Sequence, residues 1–154
     1  MGKYIERTFD DIEVGETAVF TKTVTQPDDT LFAGISGDFN PVHIDEEYAK
    51  STMFKTRIVH GAFTSALISA VLGMKLPGPG CIYGGQEIRF TNPVHFGDTV
   101  SAHAEVVEKY TKKEGKLKFL KIKTTVVIDN CVFDAERYNG KNAAEGFATI
   151  LMMR

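Results

Sequence analysis

The sequence predicts an α+β fold in which antiparallel strands curl around one long apolar helix. Three observations predict it. The first part of the chain offers a single strand and short helical segments, the run from Gly61 to Lys75 is helical in pattern and almost uncharged, and nearly everything beyond residue 81 reads as strand. A helix that is apolar on most sides has to be buried. A sheet with one face in water and the other on a core is the element that can bury it. At 154 residues and 43% hydrophobic content, the chain is long enough for one real core, and a single domain over 1–154 is expected.

Residues 3–16 are mixed and turn-rich, and Thr17 to Thr25 then supplies the β-branched, partly alternating pattern of a strand. Thr25 stands three residues before Asp28 with Pro27 between them, the pattern of a capped helix start leading into a short helix through Ile35. Ser36-Gly37-Asp38-Phe39-Asn40-Pro41 is dense in turn formers, and Pro41 biases Asn40 away from helical dihedrals, so an ordered loop is expected. Asp45 to Lys50, with its acidic residues in the first turn, reads as another short helix.

The apolar helix of 61–75 is ended by Leu76-Pro77-Gly78-Pro79-Gly80. Strands follow at Ile82–Phe90, Thr99–Tyr110, Lys116–Ile128 and Glu145–Met153, separated by turns at Asn92-Pro93, Gly97-Asp98, Glu114-Gly115 and Asn139-Gly140. Successive strands this close should pair antiparallel. Lysine alternates imperfectly with apolar residues over 116–123, which suits a half-wet sheet rather than a nucleic-acid surface.

Charge and composition exclude several classes of function. Eighteen Lys and Arg against twenty Asp and Glu give a net charge of -2, so no overall basic field attracts nucleic acid or an anionic membrane. The N-terminal stretch has no apolar signal core, and no run of roughly 18 apolar residues spans a bilayer, so a cytoplasmic protein is expected. Cys81 and Cys131 lie far apart without metal-ligand spacing and read as reduced and buried. Gly78-Pro79-Gly80 and Gly84-Gly85 lack the strand-to-helix setting of a nucleotide fingerprint, which argues against a nucleotide cofactor, and the chemistry expected below requires no metal or organic cofactor.

The reactive groups concentrate between Ser36 and His43. Asp38 and His43 stand five positions apart across a rigid Asn-Pro turn, so one loop can aim both side chains at a shared water. A carboxylate that deprotonates water beside an imidazole that delivers a proton performs concerted acid–base chemistry near neutral pH. Residue types alone leave a plain turn as the competing reading.

The segment Phe32-Ala33-Gly34-Ile35-Ser36-Gly37-Asp38-Phe39-Asn40-Pro41-Val42-His43 resembles the hydratase signature of the MaoC-like, R-specific enoyl-CoA hydratases. The likeness continues through Ile58-Val59-His60-Gly61, the apolar helix, Gly84 to Phe90, Pro93-Val94 and Gly97-Asp98, with a weaker tail. It implies a hot-dog fold, in agreement with the pattern reading, and a homodimer whose sheets join edge to edge with acyl-CoA bound near the interface. It also implies the reversible hydration of a trans-2-enoyl thioester carried on CoA or acyl carrier protein.

By this resemblance Asp38 and His43 are the catalytic pair and Asn40 helps to order the site. Gly61, at the start of the buried helix, offers its N–H to the thioester carbonyl. A helix start suits that role because its N–H groups are unpaired and partly positive. Ser69, eight positions further on, falls where the family often has a serine lining the site. His60 reads as loop or cap structure, and His95 and His103 as sheet-edge or surface residues. Arg57, Arg89, Lys112, Lys113 and Lys116 read as surface charge, and Phe63, Leu67, Leu72 and Met74 as pocket or core. The competing functions are thioester hydrolysis and non-catalytic binding of acyl thioesters.

Overall fold

The computed structural model describes residues 4–153. Residue 3, where the turn-rich stretch begins, and the two ends of the domain expected over 1–154 lie outside the described residues. The elements follow the order β1 (Thr17–Thr23), α1 (Gln26–Ser36), α2 (Pro41–Ile44), α3 (Glu46–Ser51), α4 (Gly61–Met74), β2 (Cys81–Phe90), β3 (Thr99–Lys112), β4 (Leu117–Asn130), α5 (Ala135–Tyr138) and β5 (Asn142–Met152).

The strands form one antiparallel sheet in the order β1-β3-β4-β5-β2. Helix α4 packs against all five strands. Leu67, Ile68, Val71 and Leu72 of α4 are buried with Val100, Ala102, Val106, Leu120, Ile122 and Ile150 of the sheet. Each large apolar side chain so enclosed contributes about 1.5–3 kcal/mol relative to exposure. On β4 the predicted alternation holds: Leu120 and Ile122 are buried while Lys121 and Lys123 are exposed. This is the α+β, hot-dog arrangement.

The first helix starts as its sequence pattern predicts. The Asp28 N–H points to Thr25 Oγ1 at 3.4 Å, while the Thr25 N–H donates to the Asp28 carboxylate at 2.9 Å. Thr25 therefore caps α1, and β1 ends two residues before it, at Thr23. Those bonds from Thr25, with Lys22 close by, hold the Asp28 carboxyl down at about 2.

The sheet departs from simple succession at one point. Strands β2 and β3 do not pair; residues 91–98 carry the chain across instead of closing a hairpin, and β2 lies at the sheet edge against β5. That pairing depends on Gly146, where an added Cβ would lie 1.9 Å from the Glu87 carbonyl oxygen.

Four smaller corrections follow. The expected loop ends sooner, because Pro41 opens the one-turn helix α2, capped by Asn40. A second short helix, α5, forms where the Asp134 carboxylate accepts the Arg137 N–H at 3.1 Å. His95 is not a surface residue: it is 2% exposed, with its N–H donated to Asp98 at 2.8 Å and its ring stacked on Phe133. Cys81 is only half-buried, whereas Cys131 is enclosed, and both thiols are free. His103 is on the exposed face of β3, as expected.

Candidate active site

Helix α1 ends at Gly37, whose φ of 79° is left-handed and favours glycine, with its N–H donated to the Ala33 carbonyl. This turn delivers Asp38. The Asp38 N–H donates to Ser36 Oγ at 3.2 Å, and Asp38 Oδ1 accepts the Asn40 N–H at 3.1 Å. Asn40 Oδ1 in turn accepts the Val42 N–H at 3.3 Å, which caps α2 and presents His43. Asn40 is thus the joint between the carboxylate and the helical turn that carries the imidazole.

The His43 ring is oriented from behind. Its Nδ1 donates to the Ile58 carbonyl at 2.8 Å, because a carbonyl can only accept. Nε2 is left as the atom that gains or gives a proton. One ligand-capable side-chain atom from each of Asp38, His43 and His60 lies within 4.8 Å of the other two, a spacing that one bridging water can span. Asp38 keeps 53% of its side chain exposed, so its second oxygen is open to a ligand.

Gly61 is the first residue of α4, and no side chain caps that helix start. Its N–H has no acceptor within the helix. The ring of Phe90 closes over the glycine, 3.2 Å from where a Cβ would stand. A cavity of about 390 Å³ opens beside it, lined by Met53, Phe54, Ile58, Thr64 and Asn92 among others.

The structure therefore gathers Asp38, Asn40 and His43 around one point, with His60, the residue before Gly61, in contact with His43. Ser69 is not part of this gathering; it is exposed in a separate concavity with Ser65, Tyr83 and Gln86. Leu67 and Leu72 belong to the core, Phe63 packs against it, and Met74 is 69% exposed. Arg57 pairs with Glu46 at 3.3 Å and Arg89 with Glu145. Burial pushes both thiols up, which leaves them poor nucleophiles.

Two residues of the site were missed in the sequence. His60 is the main-chain cap of α4, as its assignment to loop or cap structure anticipates, but its side chain is 1% exposed and packs on His43. Asp29 is 2% exposed inside α1 and hydrogen-bonds His60. The available signal is its spacing: Asp29 and Ala33, four apart, are the two buried positions of α1.

An antiparallel sheet around an apolar helix, with an aspartate and a histidine gathered near the helix start, is the arrangement of a hot-dog protein of the hydratase–dehydratase class. The chain belongs to the family described as MaoC like domain, which matches residues 11–129. It is 43% identical over 144 residues to an (R)-specific enoyl-CoA hydratase of Rhodospirillum rubrum, covering 94% of this chain and 90% of that one. It is 44% identical over 95 residues to an (R)-specific enoyl-CoA hydratase of Aeromonas caviae, covering 62% and 71%. The solved R-hydratase PhaJ1 of Pseudomonas aeruginosa, unliganded, superposes with a TM-score of 0.79 at 41% identity, covering 94% of this chain and 84% of that one.

Proposed function

We propose that this chain, as one MaoC-like domain over 1–154, is an R-specific enoyl-CoA hydratase that reversibly hydrates trans-2-enoyl thioesters to R-3-hydroxyacyl thioesters. The observation that carries the reading is the Asp38–His43 pair, held within water-bridging distance beside the uncapped start of α4.

The substrate carbonyl oxygen accepts the Gly61 N–H, which withdraws electrons from C3 and stabilises the enolate-like charge that develops. Asp38 orients water and takes its proton as the oxygen bonds to C3. His43 gives the Nε2 proton to C2 on the same face. The pair ends with its proton exchanged, Asp38 protonated and His43 neutral, and transfer between them resets it. Hydration and dehydration use the same groups in opposite order. Ser69 lines the site only if the substrate reaches along α4 toward β2.

The carrier is CoA in this reading, with acyl carrier protein as the variant to be compared. Strand β2 is a free sheet edge carrying Ile82, Tyr83 and Phe90, which are 45%, 38% and 51% exposed. An edge of this kind supports a homodimer joined through β2. No helix among the described residues is long and apolar enough to cross a membrane, and a cytoplasmic location is proposed with the rest. Loss of enoyl-thioester ultraviolet absorbance on adding crotonyl-CoA tests the activity.

A further inference from the structure

His60 is buried at the point where α1, the Asp38 loop, α2 and α4 meet. Its Nδ1 lies 2.8 Å from Asp29 Oδ1, and its main-chain N–H donates to the same oxygen at 3.0 Å. Its Nε2 lies 2.9 Å from the Asp38 carbonyl oxygen, and 3.8 Å from Asp38 Oδ2. One ring face stacks on His43 at 3.8 Å, and Phe32 packs at 5.3 Å.

Both ring nitrogens face oxygens that accept. A carbonyl has no hydrogen to give, and Asp29 Oδ1 is already accepting a main-chain N–H. An unpartnered buried polar atom is costly, so contacts at both nitrogens fix the orientation of the ring, with Asp29 on one edge and Asp38 on the other.

The same carboxylate bond fixes the main chain of His60, and the next residue is Gly61. The far side of the ring holds the main chain of Asp38. The thioester-carbonyl donor and the water-activating carboxylate are therefore anchored to opposite edges of one imidazole. We propose that Asp29 and His60 form a buried positioning unit that sets the separation between Gly61 N–H and Asp38. The inference rests on the hydratase reading above and assigns neither residue a contact with substrate.

Kinetics with crotonyl-CoA test the positioning. Asp29→Asn weakens the double hold of one carboxylate oxygen on the His60 main chain and ring, and should lower kcat on the order of 10²-fold, as small misplacements of reacting groups do, with KM within about twofold.

A folded Asp29→Asn with wild-type kcat, or one in which only KM rises, overturns the positioning role. If Asp29→Asn does not fold, His60→Gln takes its place under the same criteria. A wild-type protein without turnover would sink the hydratase reading and the positioning role with it. An active wild-type enzyme whose folded Asp29→Asn variant keeps the same kcat would sink this inference alone.

Discussion

The imidazoles of His43 and His60 stack with centroids 3.8 Å apart and planes inclined by 27°. The ring proposed to meet substrate is packed against a ring that is 1% exposed. His43 cannot tilt without losing either that face or the bond from its Nδ1 to Ile58. Its freedom is reduced to the proton on Nε2, which is what acid–base work requires.

Removing either member of the pair should abolish most of the activity while leaving the fold. Asp38→Asn retains the acceptor for the Asn40 N–H, and His43→Gln retains a donor for Ile58. Each should lower kcat by roughly 10²–10⁴, the usual worth of a positioned acid or base. Stopped or steady-state absorbance assays, beside unchanged circular dichroism, check this. Full activity in Asp38→Asn is incompatible with the mechanism.

The role of the Gly61 N–H can be isolated, because proline is tolerated at the first position of a helix. His60 has φ -54° and ψ 130°, an extended conformation that a following proline permits. Gly61→Pro should keep α4 and lower kcat by about 10²–10³, the cost of losing one such donor. Gly61→Ala adds a Cβ 3.2 Å from the Phe90 ring but keeps the N–H, and should lose much less. Equal losses in the two variants would assign the effect to crowding.

Asp98 supports the crossing of residues 91–98, and its loss should cost stability rather than chemistry. Burial pushes its carboxyl up, but bonds from His95 and from the Val132 N–H at 2.8 Å outweigh that and hold it below its ordinary value of 3.8. A lowered folded value means that the contribution is complete above about pH 4 and fades as pH falls through the folded value. Asp98→Asn places a donor against a donor and should cost about 2–3 kcal/mol at neutral pH. Thermal melts from pH 7 to pH 3 should show a smaller acid loss in the variant than in the wild type.

Gly146→Ala should open the sheet edge. Its Cβ would stand 1.9 Å from the Glu87 carbonyl oxygen, so β2 must move away from β5. Overpacking of this kind costs roughly 1–3 kcal/mol. Because β2 is also the proposed dimer edge, sedimentation should show the variant shifted toward monomer. A dimer of wild-type stability would place the interface elsewhere.

Much of this molecule was legible in its sequence because local chemistry decides it. The uncharged run after Gly61 had to be a buried helix, and the short spacing across Asn-Pro keeps Asp38 and His43 together, although Pro41 puts His43 on the one-turn helix α2 rather than in the loop. The partner of β2 was not legible, since pairing across the sheet is settled by the close approach at Gly146 and by the path of residues 91–98. Asp29 was hidden for the same reason: a carboxylate in the first turn of a helix usually faces water, and only the position of His60, 31 residues away, turns it inward. His95 read as surface because nothing local announces the ring of Phe133 beside it.

The central claim is that the Asp38–His43 pair adds water to an enoyl thioester with R stereochemistry. Incubating the wild-type protein with crotonyl-CoA, following the enoyl absorbance and resolving the product on a chiral column tests it most directly. Loss of absorbance and R-3-hydroxybutyryl-CoA as the product are expected. Unchanged absorbance across a panel of enoyl chain lengths, an S product, or release of free thiol from saturated acyl-CoA in its place would contradict it.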